Sequence, residues 1–157
     1  QTVYAGLRGL DYSWYFLAYT ITVVICRMVL AEFIGGWAPY GVIAALLAVM
    51  TASILLLLVL GDSSALYVLA AVLFGIGYGV SYPIVKAMGA NDATPEIMSQ
   101  TLQIFGVAYF IGVFGFPFIA GWIINSFGMT PMLYVAAIMA TIECLAALLR
   151  YQNDRRQ

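Results

Sequence analysis

Residues 40–60 read YGVIAALLAVMTASILLLLVL, and this stretch decides the fold class. Between positions 43 and 60 the polar side chains are Thr51 and Ser53 alone. A helix in water keeps a polar face, and this stretch has none to offer. At about 1.5 Å of rise per residue, about 20 residues cross the roughly 30 Å hydrocarbon core of a bilayer. The stretch therefore predicts a membrane-spanning helix.

Working outward, the same pattern recurs. Apolar runs of spanning length occupy 14–34, 40–60, 65–85, 101–124 and 131–149. The breaks between them are short and polar. Gly35-Gly36-Trp37-Ala38-Pro39 closes the first run, Gly61-Asp62-Ser63-Ser64 the second, and 125–130 the fourth. The third break, 86–100, is longer and holds Gly89, Asn91, Asp92, Pro95 and Glu96. Its end predicts a helix start, with Thr94 as N-cap, Pro95 in the first helical position and Glu96 in the first turn. Short links make neighbouring spans antiparallel. The expected fold class is all-α, a polytopic membrane helix bundle with five spans.

Composition agrees. The 157 residues are 64% hydrophobic and 8% charged, with a mean hydropathy of +1.01. A soluble domain carries about 25% charged residues. The net charge of -1 leaves no basic stripe for a nucleic-acid partner. Histidine is absent, and both cysteines, Cys26 and Cys144, fall inside spans. That pattern implies no metal site and no cofactor, and it reads the two thiols as packing residues. Residues 1–13 show no charged-then-apolar leader. Position 1 is Gln rather than Met, so the chain reads as a piece of a longer protein, with residues 1–4 as the last turn of an earlier span.

Lys86, Arg150, Arg155 and Arg156 fall on one side of the predicted bundle, and Arg8 on the other. Basic loops mark the cytoplasmic side. This predicts a multi-pass protein of the cell membrane with 86–100 and the C-terminal tail in the cytoplasm. One further upstream span would give six, with both ends inside, which suggests half of a larger transporter.

Three stretches resemble the major facilitator superfamily of transporters. YFLAYTITVVICRMVLAEFIGGWAPYG, residues 15–41, is similar to the family's eighth helix and following turn. There Arg27 falls on the Arg of the family pattern R-x-x-x-G-x-x-x-D-R-x-G-R-R. Ala31, Gly35, Gly36, Ala38 and Pro39 replace its other marked residues, so length and turn character persist without the charged network. GIGYGVSYPIVKAMGAND, residues 75–92, resembles the tenth helix and its inner loop. FGVAYFIGVFGFPFIAGWIINSFG, residues 105–128, resembles the eleventh, with Gly112, Gly115, Pro117 and Gly121 on its glycine–proline pattern. The resemblance covers nearly the whole chain as helices eight to twelve. It implies a C-terminal half, a central cavity, alternating access, and an N-terminal half as partner.

Polar residues inside the spans are the candidate site. Arg27 lies seven residues before Ile34, about 10 Å inside the inner end of its span. An intramembrane charge marks a cavity or a partner, though a long stem also snorkels. Glu143 sits at similar depth on the last span, but the family's eighth and twelfth helices are not close neighbours, which speaks against a pair. Glu32 is expected in solvent near the inner interface. Tyr15, Tyr19, Thr22 and Cys26 follow 4-3-4 spacing and share a face, suited to a cavity or to helix packing. Tyr78 and Tyr82 share another face, and Gln103 and Tyr109 lie on the fourth span. Together with Arg27, Tyr15, Tyr19 and Thr22, these four are the candidate cavity or gating residues. Gly75 and Gly79 form a G-x-x-x-G pair for close helix approach. Pro83 removes a backbone donor. Gly112, Gly115 and Pro117 are expected to form a packed or hinging stretch.

The leading functional reading is a secondary transporter, a proton-coupled exporter of a small organic solute. A phosphate-binding G-x-x-x-x-G-K-[ST] loop is absent, so nucleotide does not drive this polypeptide directly. The alternatives are a non-transporting membrane scaffold and an intramembrane enzyme. The enzyme reading lacks a Ser–His pair or paired carboxylates in the spans, and the chain is read as not an enzyme.

Overall fold

The structure, a computed structural model, describes residues 1–33 and 38–154. The Gly35-Gly36 stop, the Glu32 side chain, and Arg155 and Arg156 of the tail lie outside the described residues. Among the described residues the elements are α-helices: α1 (Thr2–Arg8), α2 (Tyr12–Phe33), α3 (Pro39–Val59), α4 (Ser64–Asn91), α5 (Met98–Phe127) and α6 (Met129–Asp154). Local chemistry sets their ends. Pro39 opens α3 at a position where a missing N–H costs nothing. The Ser63 hydroxyl caps α4 by accepting from the Leu66 N–H at 3.4 Å. Gly61 makes the tight α3–α4 turn with φ 62, a conformation that a Cβ would strain.

Two helix boundaries differ from the sequence expectation. Helix α4 runs to Asn91 rather than stopping near Val85, so Lys86, Gly89 and Asn91 stand on a helix, not in a loop. Its 28 residues make it about 42 Å long, well beyond the hydrocarbon core. Helix α5 begins at Met98 with Ile97 as N-cap, not at Thr94–Pro95. The reason is a separate turn. The Thr94 carbonyl accepts from the Ile97 and Met98 N–H groups at 3.1 and 2.9 Å. Beside that turn, the Thr94 hydroxyl and the Glu96 backbone N–H hold the Glu96 carboxyl below its usual range.

Helix α3 is the centre of the packing, with α4 on one side and α6 on the other; α2 lies against α4. Three glycines of α4 make this possible. A Cβ on Gly75 would sit 2.9 Å from Thr22 Cβ, and one on Gly79 would sit 3.2 Å from Val23 Cα, both on α2. Gly77 faces the other way, and a Cβ there would sit 2.8 Å from the Leu46 carbonyl oxygen of α3. Residues i and i+4 share a helix face while i+2 opposes them, so one short run grips both neighbours. The buried Ser53 hydroxyl adds a bond from α3 to the Ala70 carbonyl at 2.7 Å. The Cys144 thiol reaches from α6 to the Ala44 carbonyl at 3.6 Å. Cys26 packs with Leu46 and Val80, and both thiols are free.

At one end of the bundle α1 folds over the start of α4. Tyr4, Tyr15, Leu57 and Tyr67 form a buried cluster there, and the Tyr4 hydroxyl donates to the Leu57 carbonyl at 2.6 Å. Pro39, Asn91 and the end of α6 lie at the other end. The outer surface is as apolar as the interior: Phe118 is 81% exposed and Val59 77%. In water such a surface would aggregate. Among the described residues, helices α2 to α6 are the five long and apolar enough to cross a membrane, and lipid is the solvent that suits them.

Candidate functional site

The site starts from a backbone consequence of proline. In an α-helix the N–H of residue i bonds the carbonyl of i−4. Pro83, inside α4, has no N–H, so the Gly79 carbonyl loses its helical donor. Arg27 on α2 supplies the replacement: its Nε–H donates to the Gly79 oxygen at 3.3 Å. The close approach of α2 at Gly79 is what brings the guanidinium within reach. Its Nη groups make no bond to the described residues.

Beside this contact runs a row of aromatic rings across three helices. Phe74, Tyr78 and Tyr82 stand at i, i+4 and i+8 on α4, so their rings stack along one face. Centroid separations are 6.3 Å for Phe74–Tyr78 and 6.5 Å for Tyr78–Tyr82. Tyr19 of α2 joins at 6.3 Å from Tyr78. From α5, Tyr109 lies 4.8 Å and Phe105 5.8 Å from Tyr82. The hydroxyls of Tyr78 and Tyr109 are 2.7 Å apart and hydrogen-bonded. Next to the row, α2, α4 and the starts of α3 and α5 border an open pocket of about 850 Å³ whose lining includes Arg27, Tyr82, Pro83, Lys86 and Leu102.

Several residues singled out in the sequence thus come together: Arg27, Tyr19, Tyr78, Tyr82, Tyr109, Gly79 and Pro83. Others go elsewhere. Tyr15 is 4% exposed and packs its ring 5.0 Å from Tyr67 in the cluster beneath α1. Thr22 donates to its own helix at Ala18, at 2.7 Å, and its methyl abuts Gly75. Gln103, expected to bond a neighbour or a ligand, is exposed on α5 and bonds nothing among the described residues. Gly112 and Gly115, expected to be closely packed, would meet nothing within 4 Å on gaining a Cβ, and Pro117 is exposed beside them. The cause is common to all four: among the described residues α5 packs lightly, mainly against α4 and α6. Glu143 is exposed on α6 and makes no ion pair with Arg27. Phe74 and Phe105 were missed. Their signal was spacing, four residues from Tyr78 and from Tyr109.

Chemically, the arrangement offers ring faces, a pair of hydroxyls and a cation in an apolar surround. Such groups bind and orient a small molecule with flat apolar parts and a few polar atoms. No nucleophile-and-base pair is assembled among them.

Comparison with known proteins bears on this reading. Over 100 residues, 64% of the chain, the sequence is 24% identical to the Multidrug resistance protein B homolog of Mycobacterium tuberculosis, in two strains. The matched region spans 18% of that relative's length. No family model matches the chain, and no solved structure does.

Proposed function

We propose that this chain is part of a secondary transporter that exports a small organic solute by alternating access, coupled to protons. We further propose that it corresponds to helices eight to twelve in the C-terminal half of a major facilitator superfamily transporter. The observation that carries the reading is the aromatic row with its Tyr78–Tyr109 hydroxyl pair beside Arg27. The name of the Mycobacterium tuberculosis relative, a multidrug resistance protein, supports the efflux direction. The partners are a small-molecule substrate, the lipid bilayer and the N-terminal half of the same transporter. The exposed face of α5, with Gln103, Gly112 and Pro117, is where that second half would pack. The site has no catalytic role in this reading.

The test is solute flux in vesicles holding this chain together with its native upstream half. An imposed proton gradient should drive accumulation, and a protonophore should collapse it. No flux of any organic solute under a gradient would sink the proposal. Within that assay, the double variant Tyr78→Phe, Tyr109→Phe keeps both rings and deletes the paired hydroxyls. Flux should fall by about tenfold, the worth of about one net hydrogen bond to a bound ligand. Unchanged flux would move the site away from this pair.

Orientation gives a second expected result. In a background lacking Cys26 and Cys144, Asn91→Cys should resist an impermeant thiol reagent in intact cells and react with a permeant one. Ser63→Cys, at the opposite end of α4, should react with both. The reverse pattern would invert the topology.

A further inference from the structure

The described residues that line the open pocket of about 850 Å³ at the α2–α4 contact carry an unbalanced charge. Its lining holds two cations, Arg27 and Lys86, and no carboxylate among the described residues. Much of the remaining wall is apolar, including Pro39, Val80, Ile84, Met88 and Leu102. Paired positive charge on an apolar wall selects a ligand with an acidic head and a hydrocarbon body. The Nε bond to Gly79 fixes the guanidinium and leaves its two Nη groups as a fork, the geometry that pairs with phosphate. Lys86 follows Gly79 by seven residues, two helical turns, so it lies on nearly the same face about 10 Å further along α4. Long stems let both heads approach one group held between those levels.

Depth separates a lipid from a dissolved ion. Counted from the Ser63 cap, about 20 residues of α4 cross the hydrocarbon core, and Lys86 stands just past that limit, at headgroup level. Arg27 and Lys86 are both exposed, which leaves both heads within reach of a lipid headgroup at that level.

We propose that this pocket seats an anionic phospholipid from the leaflet at that end of the bundle. Its phosphate sits between Arg27 and Lys86, and an acyl chain lies along Val80, Ile84 and Leu102. The site shares Arg27 with the solute site proposed above, but lipid binding is read by itself and does not depend on which solute is carried.

The test uses the native protein in a neutral detergent, titrated with dioctanoyl phosphatidylglycerol or dioctanoyl phosphatidylcholine, with bound lipid counted by native mass spectrometry. Phosphatidylglycerol should bind more tightly by about tenfold or more. Lys86→Gln should lose about fivefold of that affinity and leave phosphatidylcholine binding unchanged. Lys86→Arg should retain the preference, and Arg27→Gln should lose it as Lys86→Gln does. Equal retention of the two lipids would overturn the proposal. So would an undiminished preference in both glutamine variants. Displacement of phosphatidylglycerol by inorganic phosphate alone would overturn it too, by making this a site for free anions.

Discussion

Replacing Gly77 with leucine is expected to abolish most of the folded yield of this bundle. A Cβ at that position would lie 2.8 Å from the Leu46 carbonyl oxygen, 2.9 Å from Met50 Cβ and 3.2 Å from the Met50 backbone nitrogen. Two of those atoms are backbone, so no side-chain rotation relieves the clash. Helix α3 cannot step back either. On its far side Gly41 faces the Tyr151 ring, where a Cβ would be 2.9 Å from a ring carbon, and Ala44 packs with Ala147. Overpacking costs about 1–3 kcal/mol for added methylenes in a core that can shift, and this one is braced on both sides. Even Gly77→Ala should destabilise by about 1–3 kcal/mol, against a helix-propensity gain of about 1 kcal/mol. Gly112→Leu on the open face of α5 is the control and should change the bundle's stability by less than about 1 kcal/mol. Thermal unfolding in detergent checks both. A Gly77→Leu midpoint equal to that of the unsubstituted chain would show that α3 and α4 do not meet as described.

The apolar runs were legible because lipid imposes a rule that needs no partner: a spanning segment satisfies its own backbone and hides no wet face. The ends of α4 and α5 were less legible. Beyond Val85 the residues turn polar, and polarity reads as a loop, yet Lys86 to Asn91 continue the helix. Thr94 has the right chemistry for an N-cap, but the chain makes a turn over 94–97 before the helix begins at Met98. For the site, spacing showed which residues share a face but not what that face meets. Tyr15, Tyr19 and Cys26 lie on one stripe of α2 and reach three environments. These are the tyrosine cluster under α1, the aromatic row, and the contact with Leu46 and Val80. Phe74 and Phe105 were hidden because a phenylalanine within an apolar run is indistinguishable from one that faces lipid. Gly75 and Gly79 showed as a pair, whereas Gly77 gave no pattern of its own, although it makes the tightest contact. Pro83 showed as a lost donor. Which group would serve the carbonyl it frees depends on α2 lying against α4, and no local pattern contains that.

Arg27→Ala is expected to cut solute flux by about ten- to a hundredfold, the range set by losing a charged hydrogen-bonding group worth about 1.5–3 kcal/mol. Arg27 has two separable duties. Its Nε satisfies the Gly79 carbonyl, a group on a buried residue, and its Nη groups carry charge into the pocket. The first duty exists because Pro83 supplies no N–H. Pro83→Ala restores a donor four residues after Gly79 and makes that duty redundant. A double-mutant cycle therefore distinguishes the two. In the native background Arg27→Ala should destabilise by about 1–3 kcal/mol, the cost of an unsatisfied buried carbonyl. In the Pro83→Ala background that stability loss should shrink to near zero, while flux should stay low, because no backbone amide replaces a guanidinium in the pocket. Flux that returns in the double variant would make Arg27 a structural clasp and sink its place in the transport site. Arg27→Lys probes the same division from the other side. The ammonium keeps the charge but loses the Nε donor and the planar fork. Flux should then exceed that of Arg27→Ala, with stability close to it.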